Sequence, residues 1–530
     1  IVLEGYVINQ TSGDKVAYAS VYDTTSFASA ISDEYGHYSL RLSTKNDIWL
    51  SARKVGFQDT IFEWTGEQPN VMNISIRPTV IPQPDARELP ENTPVSLDTT
   101  HRKLKFFKPS MEQKVNLMNI RNKLQRKVQF SVVPGVGTNG KLSGSTTVDY
   151  SVNLLAGFNG GVRVFEMAGI GNIDWDSVSY LQMAGVFNAV GGPQRGVQLA
   201  GLTNLNDATF KGVQMAGFTN VVRKHLTGVQ LAGFSNYAHS ANGAQLAGFT
   251  NIQLDSSDVL QMSGFLNYGK RNNRGAQLAG FANVQGRTYS GVQLAGFTNY
   301  VGDSSKFIQL SGFSNVAGRN AKGIQLAGFL NVARKNSHVT QASGFINVAG
   351  KLKGAQLGVF NFNDSIDGVA IGFLTFSRKG LHQLEIAGDE VFPANLSLRT
   401  GTHHFYNVIG AGYHFGSSAS QVWRATYGIG TSVRLGERHR LFFDLQSSMM
   451  ATNTQIFENQ GLHRFLMTYQ FAIFPKVAVS LGPSFNVLVS NDHSDLPSEL
   501  QNLAPYNLNH SATSNSVKAW IGGQLAIRLF

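Results

Sequence analysis

Apolar and polar residues alternate along most of this chain, and in its middle the alternation repeats about every 16 residues. In the unit Val213–Val221, Gln214 and Asn220 bring amides to one set of alternate positions, and the other set carries no charge. A period of two is typical of a β-strand with two different faces. We therefore predict an all-β protein.

The repeat has the length and polarity of a membrane-spanning strand. A glycine recurs in variants of V-Q-L-A-G-F-T-N from Gly185 to Gly344, with one spacing of 15 between Gly233 and Gly248. About eleven strand residues and a short polar turn suit a tilted transmembrane strand of roughly 9–11 residues. A hairpin folded about His225 would set Gln214 opposite Asn236 and Phe218 opposite Ala232.

The alternation assigns the repeat residues to two faces. In a barrel, apolar positions face lipid and polar positions face the lumen. The predicted lumen-facing residues are Gln214, Phe218, Asn220, Gln230, Phe234 and Asn236. The predicted lipid-facing residues are Val213, Met215, Gly217, Val229, Leu231 and Gly233.

The C-terminal part keeps the alternation without the repeat, and short turns take turns with longer loops from residue 394 onward. Counting strands back from the end predicts a large antiparallel transmembrane β-barrel over 127–530, with about 24 strands (range 22–26). Its repeat strands would cover about 147–376 and its non-repeat strands 380–530. The alternative is a β-solenoid of 16-residue coils in which Asn and Gln stack into ladders.

Residues 1–77 differ from the remainder of the chain. The order Gly5-Tyr6-Val7, Ala17–Val21, Asp33–Leu40, Ser51–Phe57 resembles the carboxypeptidase regulatory-like domain. That resemblance implies a small, non-catalytic, seven-stranded β-sandwich in the periplasm. The A-G-F-x-N phrases and the segment Val132–Gly140 are similar to surface-repeat outer-membrane proteins of Bacteroidota-type bacteria. They imply a location in the bacterial outer membrane.

A linker at 78–126 joins the two parts, Pro-rich at first and basic afterwards. Ser110 can cap a short helix with Met111, Val115 and Met118 on its apolar side. This segment either lies on a membrane surface or partner protein, or is a solvated basic helix. Its candidate contact residues are Lys103, Lys105, Lys108, Lys114, Arg121 and Lys123.

Composition limits the function classes. Charged residues are only 15%, Cys is absent, and no run of apolar residues approaches the 18 of a membrane helix. The net charge of +11 comes from Lys and Arg in turns and linker. Such scattered charge argues against nucleic acid and favours lipid phosphates, including lipopolysaccharide. The chain begins at Ile1 without a secretory signal, so we expect a mature form.

The sequence contains no convincing catalytic constellation. His382 and Glu385 would lie on opposite faces of a strand, His403-His404 is a turn pair, and Asp492-His493 belongs to a polar loop. We expect no enzyme activity, cofactor or metal site. The expected role is a structural or accessory subunit of an envelope complex for protein assembly or export, with protein partners in the outer membrane or periplasm. A passive or selective pore and a surface adhesin are the alternatives.

Overall fold

The computed structural model describes residues 1–43, 46–79, 107–415, 421–452, 456–490, 503, 505–508 and 517–530. The protein is all-β, with 69% of residues in strands and 3% in helices. Its contacts divide it into two compact units, Ile1–Ala279 and Gly280–Phe530. Together the units hold about 14 solenoid turns and one closed eight-stranded barrel.

The first unit opens with seven strands in two small sheets. One sheet has the order β4-β1-β7 and the other β3-β2-β5-β6. Alternate side chains of both sheets fill one apolar core around Leu3, Leu40, Leu50 and Trp64. The strands are β1 Val2–Asn9, β2 Ser20–Asp23, β3 Ser29–Ile31, β4 His37–Arg41, β5 Ile48–Arg53, β6 Thr60–Trp64 and β7 Ile74–Ile76.

A short helix, α1 (Met111–Asn119), follows and connects the sandwich to the coils. Ser110 caps it through a capping box with Gln113, as the Ser at that position predicts. Of the predicted apolar side, Val115 is buried at 7% exposure, whereas Met111 and Met118 are 67% and 50% exposed. The helix also docks by polar contacts: Asn119 Nδ2 donates to the Tyr18 carbonyl at 2.8 Å.

The remainder of the first unit is a β-solenoid that begins with β8 Leu124–Val133, β9 Val136–Gly137 and a 3-10 helix, Gly140–Ser145. Most coils contain one longer and one shorter strand. The strands are β10 Thr146–Asn153, β11 Ala156–Asn159, β12 Gly161–Ala168, β13 Gly171–Asp174, β14 Val178–Ala184, β15 Phe187–Val190, β16 Gln194–Ala200, β17 Thr203–Asn206, β18 Phe210–Ala216, β19 Thr219–Ala232, β20 Ser235–Ala247, β21 Thr250–Gln253, β22 Ser257–Ser263, β23 Leu266–Gly269 and β24 Asn273–Ala279.

The coils stack in parallel, so the predicted hairpins are wrong. Gln214 pairs with Gln230, and Asn220 pairs with Asn236, each 16 residues further along the chain. In parallel register, each Gln or Asn amide donates to the same residue of one neighbouring coil and accepts from that of the other. Hairpins would not give every amide of the row both of these partners. The solenoid alternative therefore describes the repeat, and the large barrel of about 24 strands does not.

The repeated glycine lies in a tight arc between the two strands of a coil rather than at a strand centre. A Cβ on Gly217 would lie 2.2 Å from the Gly201 carbonyl oxygen of the preceding coil. Any larger residue would therefore push successive arcs apart. Backbone bonds continue through the arc, since the Phe234 amide donates to the Phe218 carbonyl at 3.0 Å.

The second unit contains further coils with the same parallel register, such as Gln293 with Gln309 and Asn299 with Asn315. Their strands are β25 Ala282–Gln285, β26 Tyr289–Ala295, β27 Thr298–Val301, β28 Ser305–Ser311, β29 Ser314–Ala317, β30 Ala321–Ala327, β31 Leu330–Ser343, β32 Ile346–Leu357, β33 Phe360–Ile371 and β34 Leu374–Ser377.

An antiparallel barrel of eight strands, each paired with its sequence neighbour, completes the second unit. The last strand closes on the first through pairs such as Ile386 with Ile527. The strands are β35 Leu381–Asp389, β36 Ala394–Gly401, β37 Tyr406–His414, β38 Val422–Arg434, β39 His439–Thr452, β40 Ile456–Phe474, β41 Val477–Ser490 and β42 Val517–Leu529.

Within this unit the last coil packs against the outer wall of the barrel. The Phe373 ring stacks on Tyr427, with centroids 4.7 Å apart. Asn407 Nδ2 donates to the Gly372 carbonyl at 2.8 Å, and Asn407 Oδ1 accepts from the Thr375 amide at 2.8 Å. The barrel wall thus covers the end of the coil stack.

Candidate functional site

The barrel interior is polar and charge-balanced near the end with short turns. Arg399 bridges Glu385 and Asp444, with both N–O distances 2.6 Å. Arg528 also contacts Glu385 at 2.6 Å. Two arginines thus face two carboxylates, and all four side chains are at most 3% exposed. Buried charges are tolerated when paired and hydrogen-bonded in this way.

A second network lies toward the opposite end. Arg424 and Arg464 both contact Asp389 Oδ2, at 2.7 and 2.8 Å. Glu390 adds a second carboxylate there and accepts hydrogen bonds from Asn486 and the Trp520 indole. The partners in the two networks come from seven strands and the β35–β36 turn. Only the closed barrel brings them all together.

Apolar side chains cover the outside of the barrel. Leu445, Leu481 and Leu525 are 58–62% exposed, and they alternate along their strands with the buried polar residues. Aromatic residues lie near both ends of the wall: Tyr413 packs on Trp423 at one end, and Tyr469 and Phe471 contact His439 at the other. The barrel is therefore polar inside and apolar outside, the reverse of a water-soluble barrel.

Side chains fill the lumen. The turn after β35 brings Phe392, fully buried, into an apolar cluster with Val422, Met450 and Leu462 at one mouth. Leu381, Tyr406, Val408 and Phe442 cluster toward the other. An open pocket of about 540 Å³ at the short-turn end has His382 and His403 in its lining, and Gln383 and Gln470 also belong to that lining.

In the coils, the predicted inward residues separate into two groups. Gln214, Asn220, Gln230 and Asn236 are fully buried. They form ladders: Gln230 Nε2 donates to Gln214 Oε1 at 2.8 Å, and Asn220 Nδ2 to Asn236 Oδ1 at 2.9 Å.

Phe218 and Phe234 were predicted inside and are outside, 46% and 39% exposed, with stacked rings 4.7 Å apart. Each Phe lies an even number of residues from the Gln and Asn of its unit, so alternation places all three on one face. The arc bends the chain at the Phe, however, and turns its ring outward. The predicted outward residues do lie outward and are at least partly exposed, whatever medium they meet: Val213, Met215, Gly217, Val229, Leu231 and Gly233.

The structure describes four of the six candidate contact residues of the linker. Lys103 and Lys105 lie outside the described residues. Lys108, Lys114 and Arg121 are exposed on or beside α1. Lys123 Nζ donates to the Gly144 carbonyl at 3.0 Å, a contact within the protein. A shared contact surface for these residues stays a prediction.

A buried acidic pair in the first coils was not anticipated. Glu166 occupies the ladder position of Gln182 one coil earlier, and both Glu166 and Asp174 accept from Gln182 Nε2, at 2.8 and 2.6 Å. Burial raises the pKa of the Glu166 carboxyl. Burial also raises the pKa of Asp174, and the neighbouring Glu166 charge raises it further. The signal in the sequence was a carboxylate where later coils have an amide.

No protein-family model matches the chain, and no curated protein matches it in sequence. Among the described residues, no helix is long and apolar enough to cross a membrane. Within the same part of the chain, no group of three or more His, Cys, Asp or Glu side chains is placed to hold a metal ion.

Proposed function

We propose that the protein is a non-enzymatic bacterial outer-membrane protein in which the eight-stranded barrel anchors the solenoid and the N-terminal sandwich. The observation that supports this most strongly is the polarity of the barrel: paired charges inside, a continuous apolar surface outside. Strands such as β38, with 13 residues, exceed the roughly 9–11 needed to cross a bilayer. Aromatic side chains near both ends match the girdles of transmembrane barrels.

The filled lumen favours an anchor over a pore. Eight strands enclose a space just wide enough for side chains, whereas aqueous channels need 16 to 18 strands. In this barrel the two Arg–carboxylate networks and the apolar cluster around Phe392 occupy that space. We propose that the barrel holds the sandwich in the periplasm, where the chain acts as a structural or accessory subunit of an envelope complex.

The anchor proposal is tested with the full chain, purified in mild detergent and reconstituted into phospholipid vesicles. We expect it to float with the vesicles after a carbonate wash and to migrate faster on SDS gels unheated than boiled. Removal by carbonate would contradict the proposal. A large, stable conductance in planar bilayers would instead establish a pore. Mass spectrometry of the particle extracted from its own membrane then asks for stoichiometric partners.

A further inference from the structure

The coils have two halves of opposite polarity. Near the arc that carries the A-G-F phrase, called here the AGF edge, the interior is polar: Gln214 and Asn220 are fully buried. The outside of that half carries Val213, Met215 and Phe218. At the opposite edge the interior is apolar, with Phe210, Val222 and Leu226 at most 1% exposed.

The outside of this opposite edge is basic. Lys211, Arg223 and Lys224 are exposed there. Residues 194–279 contain seven Lys or Arg and three Asp. A water-soluble solenoid would be apolar inside and polar outside at both edges, so only the basic edge has the polarity expected in water.

The AGF edge presents a continuous apolar row to its surroundings. Phe218, Phe234, Phe249 and Phe265 stack face to face, 4.7–4.9 Å apart, and each remains at least 39% exposed. The second unit repeats the row in its own coils, from Phe281 to Phe329 with near-parallel rings. A patch of this kind on a soluble protein indicates a binding surface.

Backbone amides at the AGF edge donate to carbonyls of the preceding coil. The Phe218 amide donates to the Leu202 carbonyl at 3.0 Å, and the Gly233 amide to the Ala216 carbonyl at 3.2 Å. These amides therefore need no water, which favours entry into hydrocarbon, where an unpaired peptide group costs several kcal/mol.

The second unit indicates which medium the edge meets. Gly372 and Phe373 form the AGF edge of the last coil, and they pack on Tyr427 and Asn407 of the outer barrel wall. Ile409 and Ile429, two residues further along the same strands, are also outward and exposed. The strand β34 follows Phe373, and its other end lies toward the short-turn end of the barrel. There His382 Nε2 and the Ser377 carbonyl are 2.6 Å apart.

We propose, on the basis of the anchor function above, that the AGF edge of the second unit's coils is buried in one leaflet of the membrane that the barrel spans. The four residues of β34 span about 13 Å, close to half of a hydrocarbon core of about 30 Å. The opposite edge of these coils, where Lys306 and Lys322 are exposed, then faces the anionic headgroups of the same leaflet. The occupant of the apolar row is lipid acyl chain.

The chain contains no cysteine, so single-cysteine variants carry one environment-sensitive fluorophore each. Ile308→Cys and Leu326→Cys place it beside the AGF edge of the second unit, at side chains 43% and 40% exposed. Lys322→Cys is the matched control at the opposite edge of the same coils, where Lys322 is exposed. Leu445→Cys reports on the barrel wall. The labelled full chains are reconstituted into vesicles of phosphatidylethanolamine and phosphatidylglycerol that contain lipids with a spin label midway along one acyl chain.

We expect quenching at Ile308→Cys and Leu326→Cys to approach that at Leu445→Cys and to exceed that at Lys322→Cys several-fold. If only the Leu445→Cys label is quenched, the barrel is in the membrane and the leaflet proposal is wrong. If the Leu445→Cys label is not quenched, the anchor function fails and the leaflet proposal with it. Two edge positions guard against one variant that misfolds.

Discussion

The amide ladder makes a quantitative prediction at Asn220. Its Nδ2 donates to Asn236 Oδ1 at 2.9 Å and to the Leu231 carbonyl at 2.7 Å, and its Oδ1 accepts from Asn204. Asn220→Ala removes these three bonds and a longer one from Nδ2 to the Gln214 carbonyl, at 3.4 Å. Asn204 retains the Met215 carbonyl, but Asn236 Oδ1 and the Leu231 carbonyl lose a donor. Each buried acceptor left unsatisfied costs about 1–3 kcal/mol, so the loss of a donor at these two predicts a local loss of about 2–6 kcal/mol.

Hydrogen exchange followed by mass spectrometry measures this loss locally, without requiring two-state unfolding of a multi-domain chain. A loss of about 2–6 kcal/mol corresponds to exchange roughly 30- to 20,000-fold faster in peptides from 203–236. Asn242→Ala is the control, because Asn242 is the same residue type, exposed, in a neighbouring coil. Equal effects at Asn220 and Asn242, or none at Asn220, would refute the assignment of stability to the ladder.

Three further perturbations probe the barrel and the first coils. Arg399→Gln leaves Glu385 and Asp444 short of a buried partner, so it should cost about 3–5 kcal/mol and lower the temperature at which the compact gel form is lost; Arg434→Gln at the rim should not. The Glu166–Asp174 pair retains a proton that the unfolded chain releases above about pH 4, so exchange protection of 147–190, corrected for intrinsic rates, should fall as pH rises, and Asp174→Asn should flatten that dependence. Leu445→Arg should destabilise folding into vesicles by about 2–4 kcal/mol in urea titrations, unlike Glu437→Arg in a turn; equal effects would contradict a lipid-facing wall.

The sequence is sufficient to predict the all-β class and to separate repeat strands from non-repeat strands, because alternation depends only on which face of a strand is buried. It is insufficient to predict the direction of the strands in the repeat. Gln214 and Asn220 have the same alternation in a hairpin and in a coil, so the period of two cannot separate these structures. The recurrence of the same residue could have decided between the hairpin and the coil. Asn side chains 16 residues apart satisfy one another only when the strands are parallel.

The arc explains the one error in the assignment of faces. Gly217 and Phe218 were treated as strand residues, so Phe218 was placed with the inward amides. A period of two does not reveal the bend at an arc, but a glycine that tolerates no Cβ is a local sign of such a bend. The charge networks of the barrel could have been found from charged residues that share a strand face with polar residues. Arg399, Arg424 and Arg528 all occupy inward positions in strands whose polar and apolar residues alternate.

Parallel stacks end in unpaired backbone, and that fact gives the flanking parts of this chain a protective role. Each coil is a template for the next, so an open end could recruit a coil from another molecule and grow into a fibre. At the end of the second unit, the Asn407 side chain satisfies the Thr375 amide of the last strand. At the start of the coils in the first unit, α1 packs against the first coil through Leu117 and Phe158. Within each unit, an element that is not a coil therefore covers the end of the coils and hinders their growth into a polymer.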